Sequence, residues 1–356
     1  MRALRSGGED VEVHPLLPQQ VDRRQLKVGR LLLDNSKSQK YTNVDRYMHG
    51  YTVAFPEISC RIIRDVVVHG LIPVHESGAI VDHLRHYYPA GNAPESSTKL
   101  LAGRVDEAIK QKASYGAEYE ECPHLTLVVY NEGGGTWGHW VVENFPKIPL
   151  FLARFPEGKV ALPIGYKNNN FGALLDVCGI SRDSIFFYSG PYRLKQAAFI
   201  DHLYEEGTVH PWVIDYFKGA SCTRPLRPSR LFIERAARTR EITNLPEVKR
   251  VAQEHGFTSK PLGSATLQEQ VEQWTRADCL LTTLGSDLTN IVFCQPGPRL
   301  FVISPDFHGD RFFIDLAAAF GCEWNELLCG TIVEERSPRN TSSFSVSPLA
   351  LNRLLD

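Results

Sequence analysis

A regular alternation in the C-terminal half of the chain constrains its fold more than any other feature. Apolar runs begin at residues 230, 257, 278 and 299, spaced 27, 21 and 21 apart, and each is followed by a stretch with helical spacing. This is the beat of strand–helix units. Such units build a parallel sheet, because the chain must cross over before it can start a neighbouring strand in the same direction. The pattern predicts strands over 230–234, 257–261, 278–283 and 299–304, with helices over 245–255, 266–275, 287–294 and 310–320. Gly256 ends the first helix and Gly321 stands at C′ of the last, where a left-handed residue closes a helix. Ser264 or Thr266 is placed to cap the second, with Glu269 set for a capping box.

The N-terminal half carries the same signals less evenly. Residues 51–73 are strand-like, with Val66, Val67, Val68, Leu71 and Ile72; 80–88 has helical spacing, and 89–97 is a loop rich in Pro, Gly, Asn and Ser. A buried strand over 124–130 enters a glycine-rich turn, then a helix over 139–155 whose regularity Pro146 and Pro149 limit. Further strands read at 159–164, 184–188 and 196–200. Residues 1–50 read as a polar arm with edge elements, and 219–228 as a break in periodicity. With 356 residues, two domains are expected, over 51–220 and 221–330, followed by a return segment over 331–356 that includes a Ser-rich stretch at 337–347. The expected architecture is α/β: two Rossmann-like domains with parallel sheets facing a central cleft, where ligands meet the carboxyl ends of the strands.

Composition narrows the function. Lys and Arg number 39 against 41 Asp and Glu, a net charge of -2, so no overall basic field draws in nucleic acid. Apolar runs such as 125–130 fall far short of the roughly 20 residues that span a bilayer, and the charged N-terminus lacks the apolar core of a signal peptide. The eight cysteines are scattered and include no Cys-x-x-Cys pair, which suits a reduced, cytoplasmic protein without structural zinc. No Asp-x-Asp, His-Glu-x-x-His or Gly-x-Ser-x-Gly occurs; the loop from Asp306 to Asp310, with His308, reads better as a helix cap than as a cation site.

Several clusters can carry chemistry. Gly133, Gly135 and Gly138 match a dinucleotide fingerprint between strand and helix, but the following strand over 160–164 lacks the acid that would hold a ribose. His139 and Glu143 stand at i and i+4 and share a helical face. Glu143 can orient His139 or itself accept a hydroxyl proton, and the duller reading is a solvated surface pair. Arg235, Arg238 and Arg240 follow a strand, where guanidinium groups can bind phosphate bidentately; a solvated basic loop is the alternative. Gly285, Ser286, Asp287, Leu288, Thr289 and Asn290 open the next helix, either as an anion-binding N-terminus or as ordinary capping by Ser286 or Asp287. Trp137 and Trp140 can stack on sugar rings, although Trp140 suits a core position equally.

Taken in order, these segments resemble glycosyltransferase family 61, which includes bacterial capsular polysaccharide biosynthesis proteins and plant core β-xylosyltransferases. It also includes O-linked N-acetylglucosaminyltransferases that act on EGF domains and O-mannosyl glycans. The resemblance rests on Gly138-His139-Trp140-Val141-Val142-Glu143-Asn144-Phe145-Pro146, on Arg235, Arg240, Asn244 and Glu247, and on Glu269-Gln270. The turn from Gly285 to Asn290, then Pro296-Gly297 and the apolar strand over 300–303, complete it, so that the likeness covers roughly 120–325. Two positions depart: Leu284 stands where many members carry His, and Leu245 where members often carry Glu.

The resemblance implies a GT-B fold and an inverting, metal-independent transferase that needs no cofactor beyond a nucleotide-sugar co-substrate, a UDP-linked sugar being one candidate. It implies Glu143 and His139 as catalytic residues. Arg235, Arg240, Asn244, Gly285, Ser286, Asp287, Thr289 and Asn290 would bind the donor, with Trp137 at a glycan acceptor. The implied setting is surface or capsular polysaccharide synthesis in the cytoplasm, with peripheral attachment to the inner face of the membrane as an option and no nucleic-acid partner. A catalytically degenerate sugar-binding subunit is the alternative that Leu284 leaves open, and a nicotinamide-dependent oxidoreductase is the one left by the Gly133–Gly138 loop.

Overall fold

Strands Ser229–Glu234, Thr258–Pro261, Ala277–Thr283 and Arg299–Pro305 form where the alternation predicts them. Helices Leu245–Glu254, Leu267–Arg276 and Arg311–Ala319 lie between and after them. Thr266 caps the second of these with the predicted capping box to Glu269, and Gly256 and Gly321 take positive φ of 76° and 68° just past helix ends. The stretch predicted as an α-helix over 287–294 is instead a 3-10 helix, Ser286–Phe293. This computed structural model describes residues 11–34, 42–69, 72–75, 78–79, 110, 120–129, 133–205, 207–220, 229–235, 239–261, 265–294, 297–306, 311–337 and 341–356. The predicted helix over 80–88, the loop over 89–97, Arg238, Ser264, Pro296 and His308 lie outside them.

The chain divides into two compact units, Met1–Gln20 with Phe55–Tyr204, and Val21–Ala54 with Glu205–Asp356. The second holds a six-stranded sheet in the order Thr258–Pro261, Ser229–Glu234, Ala277–Thr283, Arg299–Pro305, Glu323–Cys329, Lys27–Asp34, parallel throughout. Its central strands are closed to solvent, with Leu280, Leu281, Leu300, Val302 and Ile303 all buried, as a parallel sheet requires. Strand Glu323–Cys329 was hidden by its polar letters. Asn325 donates to Leu300 O at 3.2 Å, and Glu326 accepts from Trp324 Nε1 at 3.0 Å, so both polar side chains are satisfied inside the sheet.

The first unit corrects the expectation of a wholly parallel sheet. Ile185–Tyr188, Lys159–Pro163, Glu120–Val128 and Tyr192–Ile200 are parallel neighbours in that order. Beyond them Ile58–His69 runs antiparallel to Tyr192–Ile200 and also pairs antiparallel with Val11–Leu17 and Ile72–His75. Two residues separate Ile58–His69 from Ile72–His75, too few for the crossover that a parallel pairing needs, whereas its pairings with Val11–Leu17 and Tyr192–Ile200 join segments far apart in sequence.

Charge ties the early segment into the second unit. Asp315, fully buried on helix Arg311–Ala319, accepts from Tyr47 OH at 3.1 Å and Val209 N at 2.9 Å, and Arg24 Nε stands 3.8 Å from it. Arg24 also donates to Val209 O at 2.8 Å and pairs with Asp22 at 2.9 Å. Burial raises the Asp315 carboxyl to about 6, against the opposing pull of Arg24, the Val209 N–H and Tyr47. Asp315→Ala should therefore cost roughly 3 kcal/mol of stability, because it strips partners from a buried Arg24 and a buried Tyr47. Denaturant unfolding should show the midpoint fall at an unchanged slope; an unmoved midpoint would contradict the account.

Candidate active site

Strand order in the second unit reverses between Ser229–Glu234 and Ala277–Thr283: the chain goes out to Thr258–Pro261 on one side, then returns to continue on the other. Sheets wound this way open a crevice at the carboxyl ends of the two strands that flank the reversal. The residues that follow those ends are Arg235 and the Leu284-Gly285 turn. Their meeting is close. A Cβ on Gly285 would collide with Arg235 Nη1 and lie 3.2 Å from Arg240 Nη2, so both guanidinium groups pack onto this one backbone position. Gly285 has an extended φ of 168°, so the glycine is needed for space and not for conformation.

Each arginine is held in place. Arg235 donates from Nε to Thr239 O at 2.8 Å and from Nη2 to Thr239 Oγ1 at 3.2 Å. Arg240 adopts φ 57°, a strained conformation for a side chain of its size, and its N–H reaches Thr341 O at 3.3 Å. The loop is fastened further by Thr243 N to Phe344 O at 2.9 Å and Phe344 N to Glu241 O at 3.0 Å. The stretch expected as a polar surface return is therefore, in its described part, a buried strip: Ser342, Ser343, Phe344 and Val346 are closed to solvent.

Gly285 is also the N-cap of helix Ser286–Phe293, and no side chain caps that end. Asp287 instead faces the arginines. Burial raises its carboxyl and lowers Arg235, while the attraction between Asp287 and the two guanidinium groups opposes both shifts. Ser286 and Asp287 keep partial exposure, whereas Thr289 and Asn290 are buried. Asn244 does different work. Its amide bonds Val346 O at 2.8 Å and Glu247 Oε2 at 3.1 Å, and its carbonyl oxygen accepts from Val346 N at 3.0 Å, so both ends hold the C-terminal strip. Leu284 is buried, and its N–H bonds Ile303 O at 3.0 Å.

In the first unit, Thr136 N bonds Gly133 O at 2.9 Å, and Tyr166 OH donates to Gly134 O at 2.7 Å, which fastens the glycine turn. The helix predicted over 139–155 is not continuous. It opens as Trp137–His139, widens into a π-helix over Trp140–Asn144, and resumes as Lys147–Arg154. Pro146, which has no N–H to continue an α-helical ladder, explains the break, and the Phe145 N–H reaches back five residues to Trp140 O at 2.8 Å. Pro149 lies in the first turn of the resumed helix, where its missing N–H leaves nothing unpaired.

This segment places His139 Nδ1 2.7 Å from Glu143 Oε1. Glu143 is 2% exposed and His139 15%, so the imidazole faces solvent more than the carboxylate does. The pair is largely enclosed, which does not fit a solvated surface pair. Trp140 is core: fully buried, it donates to Phe171 O at 3.1 Å. Trp137 is half-buried, edge-on to Phe171 at 5.8 Å. Lys147, which the motif reading passed over, is fully buried four residues beyond Glu143. Its signal in the sequence is one lysine within the otherwise apolar run 145–151. Among the described residues, no group of three or more His, Cys, Asp and Glu side chains is gathered as a metal site. No helix there is long and apolar enough to cross a membrane.

Residues 137–301 match the family model described as Glycosyltransferase 61. This segment is a glycosyltransferase 61 domain. The match opens two residues before His139 and takes in Glu143, Arg235, Arg240 and Gly285, so both clusters fall inside it. A domain of this family supports glycosyltransferase activity, and the family implies a nucleotide-sugar donor and a glycan acceptor. No curated protein matches the chain.

Because Gly285 already has an extended backbone, Gly285→Ala should fold normally while its methyl group evicts Arg235. Affinity for UDP should then fall by about tenfold or more, the loss of one charged hydrogen-bonding group. Calorimetric titration beside a thermal melt checks this; parent-like affinity in a folded variant would show that the close packing has no part in anion binding.

Proposed function

We propose that this glycosyltransferase inverts the anomeric centre by single displacement and works without a metal ion. Its two units would be the Rossmann-like halves of a GT-B enzyme that acts in surface or capsular polysaccharide synthesis. The observation that carries the reading is the packing of Arg235 and Arg240 together on the Gly285 backbone, beside an uncapped helix N-terminus. A donor diphosphate develops charge on its leaving oxygen, and with no Asp-x-Asp in the sequence to carry a bridging cation, fixed guanidinium groups and backbone N–H groups take that task.

The acceptor hydroxyl oxygen attacks the anomeric carbon as the bond to the diphosphate breaks, and the bonding pair leaves on the phosphate oxygen. His139 takes the hydroxyl proton on Nε2, and the Glu143 carboxylate behind Nδ1 stabilises the imidazolium that forms. Trp137, half exposed beside Phe171, offers a ring face edge for the acceptor sugar. Leu284 favours a second reading, a sugar-binding subunit without turnover, since a buried leucine stands at a position where many family members carry histidine.

A panel of radiolabelled nucleotide sugars separates the two, because only the enzyme hydrolyses or transfers. Activity should persist in EDTA; loss restored by manganese or magnesium would overturn the metal-independent mechanism. Glu143→Gln should keep the fold and lower transfer by about a hundredfold. Arg235→Ala and Arg240→Ala should each weaken UDP binding by roughly 1.5–3 kcal/mol and lower transfer further, since the charge they meet grows in the transition state. If both variants bind UDP and other nucleoside diphosphates as the parent does, the diphosphate lies elsewhere.

A further inference from the structure

Thr239 takes up one particular edge of the Arg235 guanidinium group. Arg235 Nε donates to Thr239 O at 2.8 Å and Nη2 donates to Thr239 Oγ1 at 3.2 Å. Nε and Nη2 share the side edge of the planar group, so one residue claims that edge through two acceptors. The end edge, formed by Nη1 and the second hydrogen of Nη2, is left over. Nη1 is the atom that packs against Gly285 at the head of helix Ser286–Phe293. Among the described residues, nothing accepts a hydrogen bond from that end edge, and Arg235 is the single polar partner of the Thr239 hydroxyl. Both side chains keep partial exposure, so a ligand can reach them.

The end edge of a guanidinium group offers two parallel N–H bonds, the fork that matches two oxygens of one phosphoryl group. A fork is useful only if it is aimed. We propose that Thr239 is a positioning residue for the nucleotide-sugar donor: by holding the side edge of Arg235, it turns the end edge to meet the diphosphate. This rests on the diphosphate site proposed for Arg235 and Arg240. Threonine suits the task in two ways. Its branched Cβ restricts the side chain to few rotamers, so the hydroxyl is itself held in place. Its two acceptors are uncharged, so they fix the guanidinium without cancelling the positive charge that an anion needs, as a carboxylate at this position would. Without the hydroxyl only the Nε bond to Thr239 O remains, and the planar group can swing about it. Each bond of the fork then pays for its own alignment when the ligand arrives.

The test is a double-mutant cycle on the full chain, read by calorimetric titration with UDP, or with another nucleoside diphosphate where the parent prefers it, beside a thermal melt of each variant. Thr239→Val removes the hydroxyl and keeps the branched shape and the backbone carbonyl. It should melt as the parent does and bind the diphosphate about fivefold to tenfold more weakly. Thr239→Ser, which keeps the hydroxyl, should bind within about twofold of the parent. In an Arg235→Ala background no fork is left to aim, so adding Thr239→Val should cost less than about twofold. A merely structural role would not vanish with Arg235. Parent-like affinity in Thr239→Val, with Arg235→Ala weakened, would overturn the proposal and leave the diphosphate site standing. An equal loss in both backgrounds would overturn it as well. Parent-like affinity in Arg235→Ala would instead overturn the diphosphate site itself. Should Thr239→Val fail to fold, Thr239→Ala takes its place in the cycle; if neither folds, the hydroxyl serves the fold and the proposal is wrong.

Discussion

Two guanidinium groups packed on one residue require that residue to have no side chain, and much of the second unit exists to maintain that contact. Arg235 leaves the end of a central parallel strand and Gly285 follows the end of its neighbour, so the reversal of strand order brings them together before any side chain is chosen. Holding them there is costly. Arg235 is largely desolvated and Arg240 adopts a left-handed backbone, each of which favours another arrangement in isolation. The compensation comes from distant parts of the chain. Thr341 and Phe344 take up the backbone of the Arg240 loop, Asn244 spends its whole side chain on Val346, and helix Pro348–Leu355 buries Leu351, Leu354 and Leu355 behind them.

That dependence explains what was readable in the sequence. Strands and helices from 229 to 305 were legible because each buries an apolar face locally and is ended by local chemistry, such as the Thr266 capping box or Gly256. Strand Glu323–Cys329 was not, because Asn325 and Glu326 look polar until their partners on other strands are known. Nor does local pattern show that Lys27–Asp34 lies parallel to that strand, a pairing across nearly the whole chain. The antiparallel return of Ile58–His69 is likewise a tertiary choice, since a β-branched run fits either direction.

The candidate residues divide in the same way. The i, i+4 spacing of His139 and Glu143 was enough to expect a shared face, and the two side chains meet at 2.7 Å. The spacing did not foresee the π-helical turn that carries them, although Pro146 was the visible reason for one. Arg235 and Arg240 were found by residue type, and only the fold reveals that they share Gly285. Asn244 was carried over with them by motif, yet its hydrogen bonds turn inward to the C-terminal strip. A motif records which residues keep company in sequence, and it does not distinguish a ligand contact from the brace behind it.

Both clusters solve one electrostatic problem with opposite signs. Desolvation strengthens any charge left in place and makes an uncompensated one costly, so each functional ion needs a counter-ion that does not cancel it. In the second unit the attraction between Asp287 and two arginines offsets part of the cost of burial and leaves one positive charge in excess. In the first unit the Glu143 carboxylate stands 2.7 Å from His139 Nδ1, so a proton taken up by the imidazole meets an opposing charge. A second acid beside the arginines would neutralise them and leave no charge in excess. One acid beside two bases in the second unit therefore leaves a charge in excess, whereas the acid and imidazole of the first unit balance each other once the imidazole is protonated.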